Sequence, residues 1–141
     1  MTSSLVLPAA YAPEARSIGH LAQQQRGNMT DSSKERIREL NDLCRKTLGA
    51  TGHLTLTRGF WNLSADVKAA ILERVATFDN FTPDNDPYGE HDFGSIRYQG
   101  YHVFWKLDYY AAGSNFRYGS EDPADPQQTA RVLTVMLAEE Y

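Results

Sequence analysis

Residues 79–92, DNFTPDNDPYGEHD, set Asp79, Asp84, Asp86, Glu90 and Asp92 into one short stretch without Lys or Arg, a local charge of −5 with His91 neutral. Carboxylates at this density beside a histidine suit three kinds of chemistry: holding a divalent cation, orienting an imidazole for proton transfer, or presenting an anionic face to a basic partner. The candidate metal ligands are Asp84, Asp86, Glu90 and His91. An EF-hand loop begun at Asp84 fails at its later positions, because Tyr88 falls fifth and Ser95 stands where the bidentate glutamate belongs. The plain alternative is structural. Asp and Asn side chains bond nearby backbone amides in turns, and Pro83, Pro87 and Gly89 shape such a loop.

Two strands follow around Gln99-Gly100. A tight two-residue turn there sets Arg97 opposite His102, Ile96 opposite Val103, Ser95 opposite Phe104, Phe93 opposite Lys106 and His91 opposite Asp108. One face then carries Ile96, Tyr98, Tyr101, Val103, Trp105, Leu107 and Tyr109, and is assigned to the core. The other carries His91, Phe93, Phe104, Lys106 and Asp108. That second face supplies the alternative catalytic set: Asp108 to orient His91 as general base, and Lys106 to hold an anionic substrate or developing negative charge. No nucleophile completes it, since Ser95 and Ser120 lie outside any nucleophile-elbow pattern. Its plain alternative is a cross-strand polar pair that pins the hairpin.

The elements positioning these residues show in the apolar spacing. Ser32 and Glu35 stand in capping-box relation ahead of Ile37, Leu40, Cys44 and Leu48, a helical stripe closed by Gly49. GHLTLTRG (52–59) alternates as a half-buried strand. A second helix starts at Ser64 and buries Val67, Ala70, Ile71, Val75 and Phe78. A third is expected from Asp125 as N-cap, with Pro126 in the first helical position, Gln128 as capping partner, and Val132, Leu133, Val135, Met136 and Leu137 as its stripe. The order α-β-α-β-β-α predicts an α+β fold, a small three-stranded, mainly antiparallel sheet packed by about three helices. Residues 1–31, frequent in Ala, Ser, Gln and Pro and without apolar period, read as a flexible N-terminal tail before a single domain over 32–141.

A chain of 141 residues that is 41% hydrophobic and 11% aromatic can build one core, and its net charge of −4 disfavours direct binding to nucleic acid or an anionic membrane. No run approaches the roughly 18 apolar residues of a membrane span. LVLPAAYA (5–12) lacks the preceding basic residues of a signal peptide, so the expected setting is cytoplasmic. The lone Cys44 reads as a buried structural thiol. Arg58 and Arg117 could each clamp a phosphate or carboxylate, although the acidic loop offers them a partner. Lys34, Arg36, Arg38, Arg45 and Lys46 interleave with Glu35, Glu39 and Asp42, as on a solvated helix face. With no glycine-rich phosphate loop and no Cys/His zinc spacing, no cofactor is expected.

The runs TPDNDPYGEHDFG (82–94), FWKLDYY (104–110), GSEDPADP (119–126) and RVLTVMLAEEY (131–141), preceded by RIRELND (36–42) and LTRG (56–59), closely resemble bacterial domain-of-unknown-function family 3768 over residues 33–141. The resemblance implies a small single-domain bacterial protein, found mainly in alphaproteobacteria and often on plasmids and other mobile elements. It supplies no catalytic residues. Trp61, Tyr88, Phe93, Phe104, Tyr109, Tyr110, Phe116 and Tyr118 exceed what one face of three short strands buries, and aromatics beside carboxylates make good interface anchors. The expected role is therefore a non-enzymatic interaction protein of a mobile element, an inhibitor or modulator of a host defence or DNA-processing complex. Its binding residues are taken as Asp84, Asp86, Tyr88, Glu90, His91, Asp92, Phe93, Phe104 and Tyr110, with a protein partner or a second copy on them. The alternatives are a small hydrolase, metal-assisted or using a His-Asp pair, and a DNA-binding regulator.

Overall fold

A computed structural model describes residues 31–141, so the expected N-terminal tail lies, apart from Asp31, outside the described residues. The elements run α1 (Asp31–Lys46), β1 (His53–Leu56), α2 (Arg58–Trp61), α3 (Ala65–Ala76), β2 (Phe93–Tyr98), β3 (Tyr101–Ala111), β4 (Thr129–Leu137) and a closing 3-10 turn (Ala138–Glu140). The α+β class and the count of three helices hold, with Arg58–Trp61 in place of the helix expected after Asp125, but the sheet has four strands in the order β1-β4-β3-β2, not three. It is mixed, with β1 parallel to β4 and β3 antiparallel to both its neighbours.

The additional strand is β4, where a helix was expected. Val132, Leu133, Thr134, Val135 and Met136 are all buried because β4 lies in the middle of the sheet, flanked by β1 and β3. A strand covered on both faces shows no polar alternation, and its continuous apolar run mimics a broad helical stripe. The capping signal before it closes a turn instead. Asp125 Oδ1 accepts from the Gln127 amide at 2.9 Å, Asp125 Oδ2 from the Gln128 side chain at 2.8 Å, and the Asp125 carbonyl from the Gln128 amide at 3.1 Å.

The hairpin register agrees with the sequence from Phe93↔Lys106 through Tyr98↔Tyr101. Gln99 and Gly100 turn through φ of 47° and 83°, the doubly left-handed pair that a tight hairpin requires. Gly94 lies opposite Trp105, and a Cβ there would collide with the indole. The expected facing of His91 and Asp108 does not form. β2 begins at Phe93, and Asp108 stands in register with Val132 of β4.

Helices cover one face of the sheet. Ile37, Phe60, Ile71 and Val75 pack there with Trp105, Leu107, Leu133 and Val135 in one cluster. On α3 the Ser64 hydroxyl accepts from the Val67 amide at 3.3 Å, the expected cap. On α1 the buried stripe is Ile37, Asn41, Cys44 and Arg45, so it is half polar, while Leu40 is only partly covered. Among the described residues no helix is long and apolar enough to cross a membrane.

The LTRG stretch binds a carboxylate within the chain. Glu140 accepts from the Thr57 hydroxyl at 2.5 Å, the Gly59 amide at 2.8 Å and the Leu137 amide at 3.0 Å, tying α2 to the last turn of the chain. Arg58 itself is exposed. Glu140→Ala should lower the unfolding free energy by about 1–3 kcal/mol, because it strands three donors, and denaturant melts would measure it. Glu140→Gln, which keeps one carbonyl acceptor, should lose less.

Candidate functional site

The acidic loop is rigid because its polar side chains close it upon itself. The Thr82 amide donates to Asn85 Oδ1 at 2.9 Å, the Asn85 amide donates back to the Thr82 hydroxyl at 3.3 Å, and the Asn85 side chain holds the Asn80 carbonyl at 2.9 Å. Asp86 then turns inward and is 8% exposed. Its Oδ1 accepts from the Glu90 and His91 amides, both at 3.1 Å. Burial pushes the Asp86 carboxyl above its ordinary value, against the opposing pull of the His91 amide bond and the nearby imidazole.

His91 sits at φ 55°, a conformation that few side chains occupy without surrounding support. Its ring stacks on Phe81 with centroids 3.6 Å apart and planes 4° apart. Nδ1 lies 2.9 Å from Asp42 Oδ1, and since an ionised carboxylate only accepts, Nδ1 carries the proton. Nε2 lies 3.7 Å from Asp86 Oδ2. The imidazole therefore has a carboxylate partner, but it is Asp42 on α1 and not Asp108. The same Asp42 oxygen takes Arg45 at 2.9 Å.

Glu90 and Asp92 are buried behind this layer. The Tyr109 hydroxyl donates to Glu90 Oε1 at 2.9 Å and accepts from the Asn41 amide at 2.7 Å, which also reaches the Glu90 carbonyl at 2.9 Å. Arg131 Nε donates to Asn41 Oδ1 at 2.7 Å, its other nitrogen reaches the Pro123 carbonyl, and the guanidinium lies 5.2 Å from the Tyr109 ring centre. Burial, then the Glu90 and Asp92 charges, raise the Tyr109 phenol well above its ordinary value, which keeps it a proton donor in this network. Asn41 and Arg131, central here, carried no signal in the sequence. An asparagine inside a helical stripe and an arginine inside an apolar run mark such a network only once the two elements are known to pack.

The candidate residues thus separate into three places. Asp86, Tyr88 and His91 line one groove, together with Phe81, Thr82, Pro83, Pro87 and Gly89, and Asp84 is exposed beside it. Glu90 and Asp92 belong to the buried network. Phe93, Phe104, Lys106, Asp108 and Tyr110 lie on the sheet face opposite Trp105 and the helices, since side chains alternate along a strand. There Lys106 Nζ bonds Asp108 Oδ2 at 2.5 Å, Phe104 packs on Phe93 and Tyr141, and Tyr110 packs on Phe116. The set His91, Asp108 and Lys106 is therefore split between two faces. Asp84, Asp86, Glu90 and His91 do not converge either, and among the described residues no three His, Cys, Asp or Glu side chains are placed to hold a metal ion.

Of the serines, Ser95 Oγ lies 2.7 Å from His102 Nε2 on the exposed side of the hairpin, a pair that strand register alone did not reveal. Ser120 is buried and bonds Thr129 at 2.8 Å. Cys44 is buried, and desolvation raises its thiol above the ordinary value, as suits a structural cysteine.

Residues 56–140 match the family described as Protein of unknown function (DUF3768), and the chain belongs to that family. Comparison with curated proteins and with solved structures found no match.

Three outcomes follow from this geometry. Tyr109→Phe should cost about 1–3 kcal/mol of stability by removing the donor to the buried Glu90 carboxylate, read from denaturant melts. Asp86 should titrate with a midpoint above the ordinary aspartate value of 3.8 when its side-chain carboxyl is followed by NMR. The sign for stability follows from that direction: the contribution of Asp86 is present below pH 3.8 and is lost as pH rises through its raised folded value. Asp86→Asn, whose carbonyl can still accept from both amides, should therefore leave the melting temperature at neutral pH unchanged or higher.

Proposed function

We propose that this DUF3768 protein is a non-enzymatic interaction module that meets a protein partner through the outer side of its acidic loop. The observation that supports this most is the use to which the inward carboxylates are put. Asp86 caps two backbone amides and Glu90 is held by Tyr109, so both are committed to shaping the loop. What the loop leaves at the surface is a groove of about 450 Å³ with Pro83, Pro87, Tyr88 and Phe81 along it, and Asp79 and Asp84 exposed on the same loop. Apolar and aromatic side chains beside a few fixed polar groups are the usual make-up of an interface anchor site.

In its finer form the partner is a nucleic-acid-processing or defence complex of the bacterial host, met in the cytoplasm by a product of a mobile element. A modest acidic surface then competes for a basic one. A DNA-binding regulator has less support: Arg45 is buried, and Arg38 bonds the Gly89 carbonyl at 3.3 Å, which interrupts the basic stripe of α1. A small hydrolase keeps one supporting observation. Asp42 anchors His91 Nδ1 at 2.9 Å while His91 lines the groove, the arrangement of a carboxylate-oriented general base that activates water.

Affinity capture of the tagged full-length protein from its native host should recover a partner that Asp84→Ala/Tyr88→Ala loses by tenfold or more. A partner retained unchanged would remove the loop from the interface. Turnover of an ester or phosphoester panel that disappears in His91→Asn would instead establish the hydrolase.

A further inference from the structure

We infer that the open edge of β2 takes up an extended segment of a protein partner as an added antiparallel strand, one in which acidic and apolar residues alternate. This surface is separate from the loop groove.

The backbone carries the first argument. β2 is an edge strand of the sheet, and its pairing with β3 runs from Phe93 to Tyr98 without a bulge. The Asp92 carbonyl accepts from the Leu107 amide at 2.9 Å, so the alternation of an antiparallel ladder turns the backbone groups of Gly94, Ile96 and Tyr98 toward β3 and those of Ser95 and Arg97 outward. Ser95 and Arg97 are both exposed, and among the described residues no strand lies beyond them. Each offers one amide and one carbonyl to an incoming backbone, and the strand has neither proline nor bulge to turn it away. Main-chain pairing of this kind supplies affinity, and the flanking side chains supply choice.

Charge selects the occupant. Arg97 stands on the sheet face opposite Ile96 and the helices, whereas Arg74 of α3 lies on the helical side with its guanidinium 4.8 Å from the Tyr98 ring centre. Both arginines are exposed. A cation on each flank of one strand edge, in a chain of net charge −4, favours a strand that carries carboxylates. A second copy fits worse, because the two-fold pairing that uses Ser95 and Arg97 of both chains centres on Ile96 and makes the two Arg97 side chains diagonal neighbours of like charge.

The pleat then fixes the pattern of the added strand. A residue opposite Arg97 falls on the outer face beside the guanidinium and is acidic. The next, opposite Ile96, falls on the helical face, where Ile96 and Tyr98 belong to the apolar cluster, and is itself apolar. The one after meets Ser95, whose Oγ lies 2.7 Å from His102 Nε2, and is small and polar.

The test uses the full-length protein and the peptide Ser-Val-Glu-Val-Thr-Val-Ser, in which Glu stands opposite Arg97 and the central Val opposite Ile96. Amide NMR titration should shift Ser95 and Arg97 and slow the exchange of their amide hydrogens. N-methylation of the Glu and Thr amides, which face β2, should weaken binding about tenfold or more, while N-methylation of the central Val, whose amide faces away, should leave it within about twofold. A peptide with Lys in place of Glu should bind several-fold more weakly. Arg97→Glu, an exposed substitution that spares the core, should reverse that preference. Equal binding of the Glu/Thr-methylated peptide, an unchanged preference in Arg97→Glu, or no shift of Ser95 and Arg97 at millimolar peptide would overturn the inference. So would a dimer of the protein alone, seen by sedimentation, with its Ser95 and Arg97 amides protected from exchange, because a second copy would then hold the edge. Asp84→Ala/Tyr88→Ala should bind the peptide as the parent does, which keeps the result independent of the loop.

Discussion

A guanidinium placed in the core holds the loop to the rest of the molecule. Arg45 is 1% exposed, and taking that charge out of water carries a penalty of several kcal/mol that its partners must offset. They are the Asp42 carboxylate at 2.9 Å, the Phe78 carbonyl at 3.1 Å, and the faces of Trp105 and Phe81 at 5.2 and 5.4 Å. The geometry of these partners matters more than their number. Phe78 opens the long connection between α3 and β2, and Asp42 binds His91 near its end. Two α1 side chains bonded to each other, Arg45 and Asp42, therefore fasten the two ends of the acidic segment, and His91 keeps its left-handed backbone because Asp42 and Phe81 hold its ring.

That arrangement explains what could be read beforehand and what could not. The hairpin was legible because Gln99-Gly100 and the alternating residues around it encode register locally, so that Arg97↔His102, Ile96↔Val103, Ser95↔Phe104 and Phe93↔Lys106 can be counted from the turn outward. Ser64 and Gly49 marked their helix ends for the same local reason. The strand Thr129–Leu137 was not legible, because burial on both faces erases the period that separates strand from helix. Nor was the partner of His91, since Asp42 lies 49 residues away and only the docking of α1 on the sheet brings it there. Arg45 was the one available clue: it falls at helical spacing with Ile37 and Cys44, and reads as solvated only on the assumption that charge faces water.

The family match runs from residue 56 to residue 140, and in the fold the two ends meet, with Glu140 on Thr57 and Gly59. Much of what lies between has a structural role. Asp86 caps amides, Tyr109 donates to the buried Glu90, Gly94 makes room for Trp105, and Asp122 and Asp125 shape the turn before β4. The motif-bearing loop is thus mostly a device for entering β2 with its polar groups satisfied. Its free chemistry is confined to a few positions, chiefly Tyr88, Asp84, and the sides of Asp86 and His91 that face the groove.

Structural service and binding are compatible at Asp86 because its two oxygens do different things. Oδ1 receives two amides and orients the carboxylate, and that orientation sets Oδ2 3.7 Å from His91 Nε2 at the groove. A carboxylate on a mobile loop would be fully hydrated and would gain little from one more donor, since exposed ion pairs contribute about 0–1 kcal/mol. Fixed in a desolvated floor, the same group is a stronger acceptor and has no rearrangement to undergo when a ligand arrives. The anchoring by Arg45 and by the Thr82–Asn85 bonds is therefore what turns a cluster of negative charges, common on protein surfaces, into a groove with fixed walls and a fixed carboxylate.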